Sequence, residues 1–149
     1  MKKKIFIALF AITGFAMNAA HAQLRKIPAE VTNSFTEKFP NATNVEWQDQ
    51  LVDFKVVFDE NNKNYRVKFS NNGEWKMTER IIKKDFLPTS VSKGFSKGEY
   101  AKWEIKEVTI VETPENKNQY KITVAKNNLN KKDLLFNTDG QLVKDNFTF

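Results

Sequence analysis

Ile27-Pro-Ala-Glu-Val-Thr-Asn-Ser-Phe35 returns 60 positions later as Leu87-Pro-Thr-Ser-Val-Ser-Lys-Gly-Phe95. Ile27 answers Leu87, Pro28 answers Pro88, Val31 answers Val91 and Phe35 answers Phe95. Within each copy the apolar residues fall four apart, which lays one stripe along a helix. Sequence of period two succeeds each copy and ends in a glycine turn, Phe69-Ser-Asn-Asn-Gly73 in the first and Phe136-Asn-Thr-Asp-Gly140 in the second. An internal repeat settles architecture before any single element does. This one predicts a duplicated unit of one helix and about four strands.

In the first copy the stripe runs on to Phe39. Pro28 suits the first helical position, where its missing N–H costs nothing. Pro40 stops the helix, because the residue before a proline is pushed out of the α region. The second helix carries Gly94 and Gly98, each about 1 kcal/mol worse than Ala, and is expected to be shorter or frayed at its C-terminal end.

After each helix the period changes. Phe54, Val56 and Phe58 alternate with Asp53 and Lys55; Tyr65, Val67 and Phe69 with Arg66 and Lys68; Trp75 and Met77 with Glu74 and Lys76. Strict alternation reads as a half-buried antiparallel sheet with one wet face. A short strand at 43–47 is expected to start it, with turns at 59–64 and 71–73, the second ending in the hairpin pair Asn-Gly. The second half predicts strands at 105–112, 119–125, 131–137 and 141–147, with turns at 113–118 and 138–140. The connection at 79–86 is too short to separate two beads. The fold class is therefore α+β: a tandem repeat, about 24–86 and 87–149, forming one antiparallel sheet with helices on one face.

Residues 1–22 have the pattern of a signal peptide. Lys2, Lys3 and Lys4 precede an apolar stretch from Ile5 to about Ala16, and Ala20-His21-Ala22 offers small residues where a signal peptidase reads. Cleavage after Ala22 would leave Gln23 at the N-terminus of a single domain, 23–149, in the periplasm or outside the cell. The apolar stretch is shorter than the roughly 18 residues of a membrane anchor, and no cysteine comes after it to take a lipid. Losing three lysines takes the 24 basic residues to 21 against 18 acidic ones, and the net charge from +6 to +3. So mild an excess speaks for solubility and against a nucleic-acid or membrane partner.

The only histidine is His21, and there is no cysteine. The exported domain thus lacks disulfides, the usual general base, the thiolate nucleophile, and the common ligands of zinc, copper and haem. Its 13 Phe, 3 Trp and 3 Tyr must supply the core instead. Carboxylate pairs such as Asp59 with Glu60, or Glu104 with Glu107, sit in turns or on wet sides of strands. An acid/base pair requires one of the two to be desolvated across a cleft. No Gly-x-Ser-x-Gly elbow is present. Residues 59–63 and 137–140 contain oxygen ligands but lack the spacing of a calcium loop, and hairpin turns use the same residue types. The chain is read as non-enzymatic, with no catalytic residue, metal or cofactor.

The residues of both copies resemble a known family. Ile27-Pro-x-x-Val-x-x-x-Phe, Phe39-Pro-x-Ala42-x-x-Val45-x-Trp47, Tyr65-x-Val67-x-Phe69-x-x-x-Gly73-x-Trp75 and Leu87-Pro-x-x-Val91 together are similar to the PepSY-like, β-lactamase-inhibitor-like family. The resemblance implies a small exported bacterial protein with helices over one antiparallel sheet, the other face of which is free to hold a partner protein. The second copy replaces the Phe39-Pro-x-Ala element by Glu99-Tyr-Ala-Lys-Trp103, so the resemblance does not imply two equivalent binding surfaces.

With the apolar residues of the strands facing the helices, Lys55, Arg66, Lys68 and Lys76 share the wet face, joined by Lys121 if the second half keeps register. Such a face is often Lys-rich for solubility alone. The functional reading is that it docks an acidic exported protein or peptide. Trp75 is placed in the core by alternation. Trp103, between Lys102 and Glu104 where the repeat breaks down, is the tryptophan expected to be exposed as an interface anchor. The C-terminal Phe147-Thr-Phe149 echoes membrane barrels, but these strands are shorter than the 9–11 residues a membrane strand needs. A binding module, of which an inhibitor-like protein is one form, is the leading expectation. A structural or envelope-associated protein without a discrete ligand is the alternative.

Overall fold

The computed structural model describes residues 26–115 and 118–147. The signal-peptide segment and the terminal Phe149 lie outside the described residues, as do two positions of the turn at 113–118. Helix α1 spans Ala29–Lys38, with Val31 and Phe35 buried along its stripe and Phe39 closing it. Pro28 sits one place earlier than expected. It is the N-cap, in extended conformation, and its carbonyl accepts from the amides of Val31 and Thr32. Helix α2, Thr89–Lys97, comes after Pro88 in the same way and ends at Gly98. At 9 residues against 10 it is shorter by one.

Four strands succeed each helix: β1 Thr43–Asp49, β2 Asp53–Glu60, β3 Lys63–Ser70 and β4 Trp75–Ile82, then β5 Glu104–Glu112, β6 Gln119–Ala125, β7 Lys131–Phe136 and β8 Leu142–Phe147. All eight form one antiparallel sheet in chain order, β1 to β8. The turn at 59–64 is tighter than its sequence suggested. Only Asn61 and Asn62 lie outside the strands, both at positive φ (51° and 59°), the backbone of a two-residue type I′ hairpin. The connection at 79–86 is partly strand as well. β4 runs on to Ile82 and pairs with β5 from Thr78↔Glu112 to Ile82↔Val108, which makes the sheet continuous.

Cross-strand partners share a face, so the register puts both helices on one side. Phe54, Val56, Phe58, Val67 and Phe69 meet α1, while Val108, Ile122, Val124, Leu134 and Phe136 meet α2. The first cluster is aromatic. Phe35 packs edge-on against Trp47 (5.3 Å between centroids) and Phe58 (5.1 Å), and Phe58 stacks on Tyr65 (5.4 Å). Each such ring is worth about 1.5–3 kcal/mol in burial alone, with edge contacts adding to it.

Candidate protein-binding face

The other side of the sheet carries no helix. Lys55 faces Gln48 and Lys68, and Lys68 faces Met77. In the next row Glu46, Val57, Arg66, Glu79, Val111 and Gln119 are successive partners. A third row runs Ile81, Thr109, Lys121, Leu135 and Lys144. The structure thus brings Lys55, Arg66, Lys68 and Lys121 onto one face, as alternation predicted.

It does not leave them all available. Arg66 reaches Glu107 at 2.5 Å and Glu79 at 3.6 Å, and the Lys121 ammonium closes on the other Glu79 oxygen. Burial alone would lower the Arg66 pKa. The hydrogen bond and charge of Glu107, then the charge of Glu79, outweigh it and hold the guanidinium above its usual value. These pairs are far from the 0–1 kcal/mol of exposed ones in setting, because Glu79 is buried and Lys121 only 16% exposed. Lys55 and Lys68 differ. Among the described residues neither ammonium has a carboxylate at ion-pair distance. Burial first, then the Arg66 and Lys68 charges, pull the Lys55 pKa below its ordinary value, with Glu79 opposing.

Two further expectations are corrected. A bulge shifts the register from Lys68↔Met77 to Phe69↔Trp75. One extra residue in a strand reverses the parity of every position after it. Trp75 therefore keeps to the α1 core, Met77 moves to the open face, and Lys76 is left without a cross-strand partner, its ammonium 3.0 Å from Glu74. Trp103 is not an exposed anchor. Within the rewritten segment at 99–103 it is half-buried, packs on the second core cluster and stands edge-on to Tyr100 at 5.3 Å.

Sequence reasoning missed two features. Tyr100 donates to Asp145, and Lys132 binds both Asp145 (2.7 Å) and the Tyr100 oxygen, tying the rewritten segment to β7 and β8. Nothing in spacing announces this cluster, whose members are up to 45 residues apart. The second is the β1–β2 tip. Val52 N donates to Gln50 O at 2.9 Å across Leu51, a γ-turn that holds Leu51 at φ 70°, with Asp49 Oδ1 accepting from the Leu51 amide. Leu51 is 82% and Val52 76% exposed.

Three of the carboxylates considered for acid/base work are engaged otherwise: Asp59 accepts from Asn44 and Asn64, Glu104 pairs with Lys106 at 2.6 Å, and Glu107 pairs with Arg66. Asn137 Oδ1 accepts from the amides of Asp139 and Gln141 and so shapes the β7–β8 turn. Among the described residues no cluster of acidic or histidine ligands forms a metal site, and no helix is long and apolar enough to cross a membrane.

A BLIP-like protein from Bacteroides fragilis has this fold, with 25% identity and a TM-score of 0.72 over 85% of this chain and 89% of that one. A DUF2874 family protein from Bacteroides ovatus is 29% identical, with a TM-score of 0.73 over 83% and 89%. A "putative periplasmic" protein from Bacteroides eggerthii is 25% identical, with a TM-score of 0.73 over 83% and 90%. Among curated proteins none matches. The family model "Putative beta-lactamase-inhibitor-like, PepSY-like" matches residues 52–144, from the β1–β2 tip into β8. That match covers more than half of the sequence, and the chain belongs to this PepSY-like, beta-lactamase-inhibitor-like family.

Proposed function

We propose that this chain is an exported, non-catalytic binding module, inhibitor-like in its action, that docks a protein or peptide on the open face of its sheet. Residues 1–22 are its signal peptide, cleaved after Ala22, and 23–149 is one domain built from two PepSY-like repeats. The family and the BLIP-like relative support an inhibitor-like role, and the "putative periplasmic" relative supports the compartment. The repeat is supported by the matching helix-plus-four-strand order of the two halves. Glu30 and Ser90, which are equivalent in the repeat, also each meet the glycine turn of their own half.

One observation carries the docking reading. The sheet turns a whole face of alternating charged and apolar side chains away from both helices. At its β2–β3 end that face keeps two cations with no carboxylate partner among the described residues. Acidic proteins are the class such a face would select. Changing Lys55, Arg66 and Lys68 together to Glu should abolish co-purification of a specific exported protein from envelope extract, with the variant still folded by circular dichroism. Unchanged recovery would sink the reading. Absence of any stoichiometric partner, with the protein pelleting in the envelope fraction, would favour a structural role.

A further inference from the structure

We infer that Lys55 and Lys68 form a two-ammonium seat for one carboxylate side chain of an acidic partner peptide. The inference rests on the docking reading and narrows it to two atoms. Lys55 and Lys68 are direct cross-strand partners on adjacent strands, on the same face and both half-buried. Side chains so placed have Cβ atoms about 5 Å apart, and like charges there destabilise the sheet. Among the described residues no carboxylate at ion-pair distance relieves the repulsion. Their outer neighbours in the row are Gln48 and Met77, both uncharged.

The charged groups that face the pair are Glu46, Arg66, Glu79 and Lys121 from the next rows, and Asp53 two residues along β2. Glu46 is exposed on β1 and makes no ion pair with either lysine among the described residues. Glu79 is committed to Arg66 and Lys121. Asp53 makes no ion pair with either lysine, and its Oδ1 is buried without a hydrogen-bond partner among the described residues. The pair is therefore a place on this face where two uncommitted positive charges stand directly side by side. Two ammoniums on flexible four-carbon stems can each take one oxygen of a single carboxylate, replacing repulsion by two charge-assisted hydrogen bonds. The half-buried setting makes those bonds stronger than on an open surface. A carboxylate in a peptide fits better than a small free anion, since Met77 and Val57 beside the pair offer apolar contact to the rest of a side chain.

The test uses the full exported domain and needs no identified partner. Hexaglutamate should bind with an affinity that falls at least tenfold in Lys55→Gln and in Lys68→Gln, and stays unchanged in Lys76→Gln. Lys68→Glu should abolish that binding and raise the melting temperature by about 2 °C, since it converts a repelling cross-strand pair into an attracting one. A loss of binding with a rise in stability cannot be a folding defect. No hexaglutamate binding, equal binding in the lysine variants, equal competition by inorganic phosphate, or a drop in melting temperature in Lys68→Glu would each overturn the seat. A partner that still co-purifies with Lys55→Gln/Lys68→Gln would sink the seat and leave docking on the face standing. If no partner exists, the docking reading fails while the hexaglutamate titration still decides the seat.

Discussion

In the first half, the β3–β4 turn approaches α1 so closely that a Cβ at Gly73 would stand 2.6 Å from the Glu30 carbonyl oxygen. In the second half, a Cβ at Gly140 would stand 2.1 Å from the Ser90 oxygen, and one at Gly94 only 1.9 Å from the Gly140 oxygen. The helix position that is Ser34 in one half is Gly94 in the other. The two cores differ in step with this. The first is packed by Phe35, Phe39, Phe54, Phe58 and Phe69, whereas the second is mostly aliphatic. Smaller side chains under α2 let helix and turn draw together, and the glycine that looked like a weak helix residue is what permits it.

The difference between the halves is most open to test at Gly94. On helix propensity, Gly94→Ala should stabilise by about 1 kcal/mol. The close approach predicts the reverse, a loss of about 3 kcal/mol read as a lower urea midpoint, because a backbone oxygen cannot swing away as a side chain would. Gly140→Ala should lose as much or more, since φ is +84° there as well. Gly73→Ala shares that φ but meets its helix at a longer distance, so its loss should be the smallest of the three. A stabilised Gly94→Ala would mean that the halves pack alike.

Much of the fold was legible because it rests on local pattern. The spacing of Val31 and Phe35, the prolines before each helix and the alternation in β2 and β3 are all sequence-local. The open-face positions of Lys55, Arg66 and Lys68 come from unbroken period two. The misplacements of side chains involved a parity change or a contact between distant segments, whereas the local misses, Pro28 and the turn at 59–64, were shifts of one or two residues. The bulge at Lys76 carried Met77 to the open face, and no residue type in Glu74-Trp75-Lys76-Met77 signals a bulge. The neutralisation of Arg66 by Glu107 joins the two halves of the chain, and Glu79 looked like linker rather than strand. Trp103 was misplaced because its burial comes from the Tyr100 ring and a core cluster whose members, from Val91 to Phe136, are spread along the chain. Gly94 could be seen only as a cost until the turn opposite was known.

The halves also differ in how they turn from their first strand to their second. Leu51 holds φ 70° at the β1–β2 tip, while the β5–β6 connection places an asparagine, Asn118, at φ 56°. Asparagine tolerates this region; a branched apolar residue does so at a cost of about 1–3 kcal/mol. Leu51→Gly should therefore stabilise the domain by about 1 kcal/mol, part of the relief being offset by glycine's freer unfolded state. Asn118→Gly should change stability by much less. Equal effects at the two sites, measured by chemical denaturation, would remove the idea that strain is concentrated in the first half.

The smallest expected difference is one of pH, and it belongs to the second half. At Asp145 burial pushes the carboxyl pKa up, but the hydrogen bonds from Lys132 and Tyr100 outweigh it and hold the group below its ordinary 3.8. A carboxyl depressed on folding contributes stability that is present above its unfolded pKa and lost as pH falls through the folded one. Tyr100 is raised above 10.0, chiefly by its bond to Asp145, and Lys132 is raised above 10.5, chiefly by the same carboxylate. Both contributions are present below those values and lost as pH rises through the folded ones. The gap in melting temperature between the wild type and Asp145→Asn should therefore be widest and flat between about pH 5 and 9, shrinking below pH 4 and above pH 10. Tyr100 is buried and the Lys132 side chain only 14% exposed, so added salt should shrink the gap much less than it would for an exposed pair. A gap that persists at pH 2 would mean that Asp145 acts through packing rather than charge, and that the tie between the rewritten segment and β8 does not depend on ionisation.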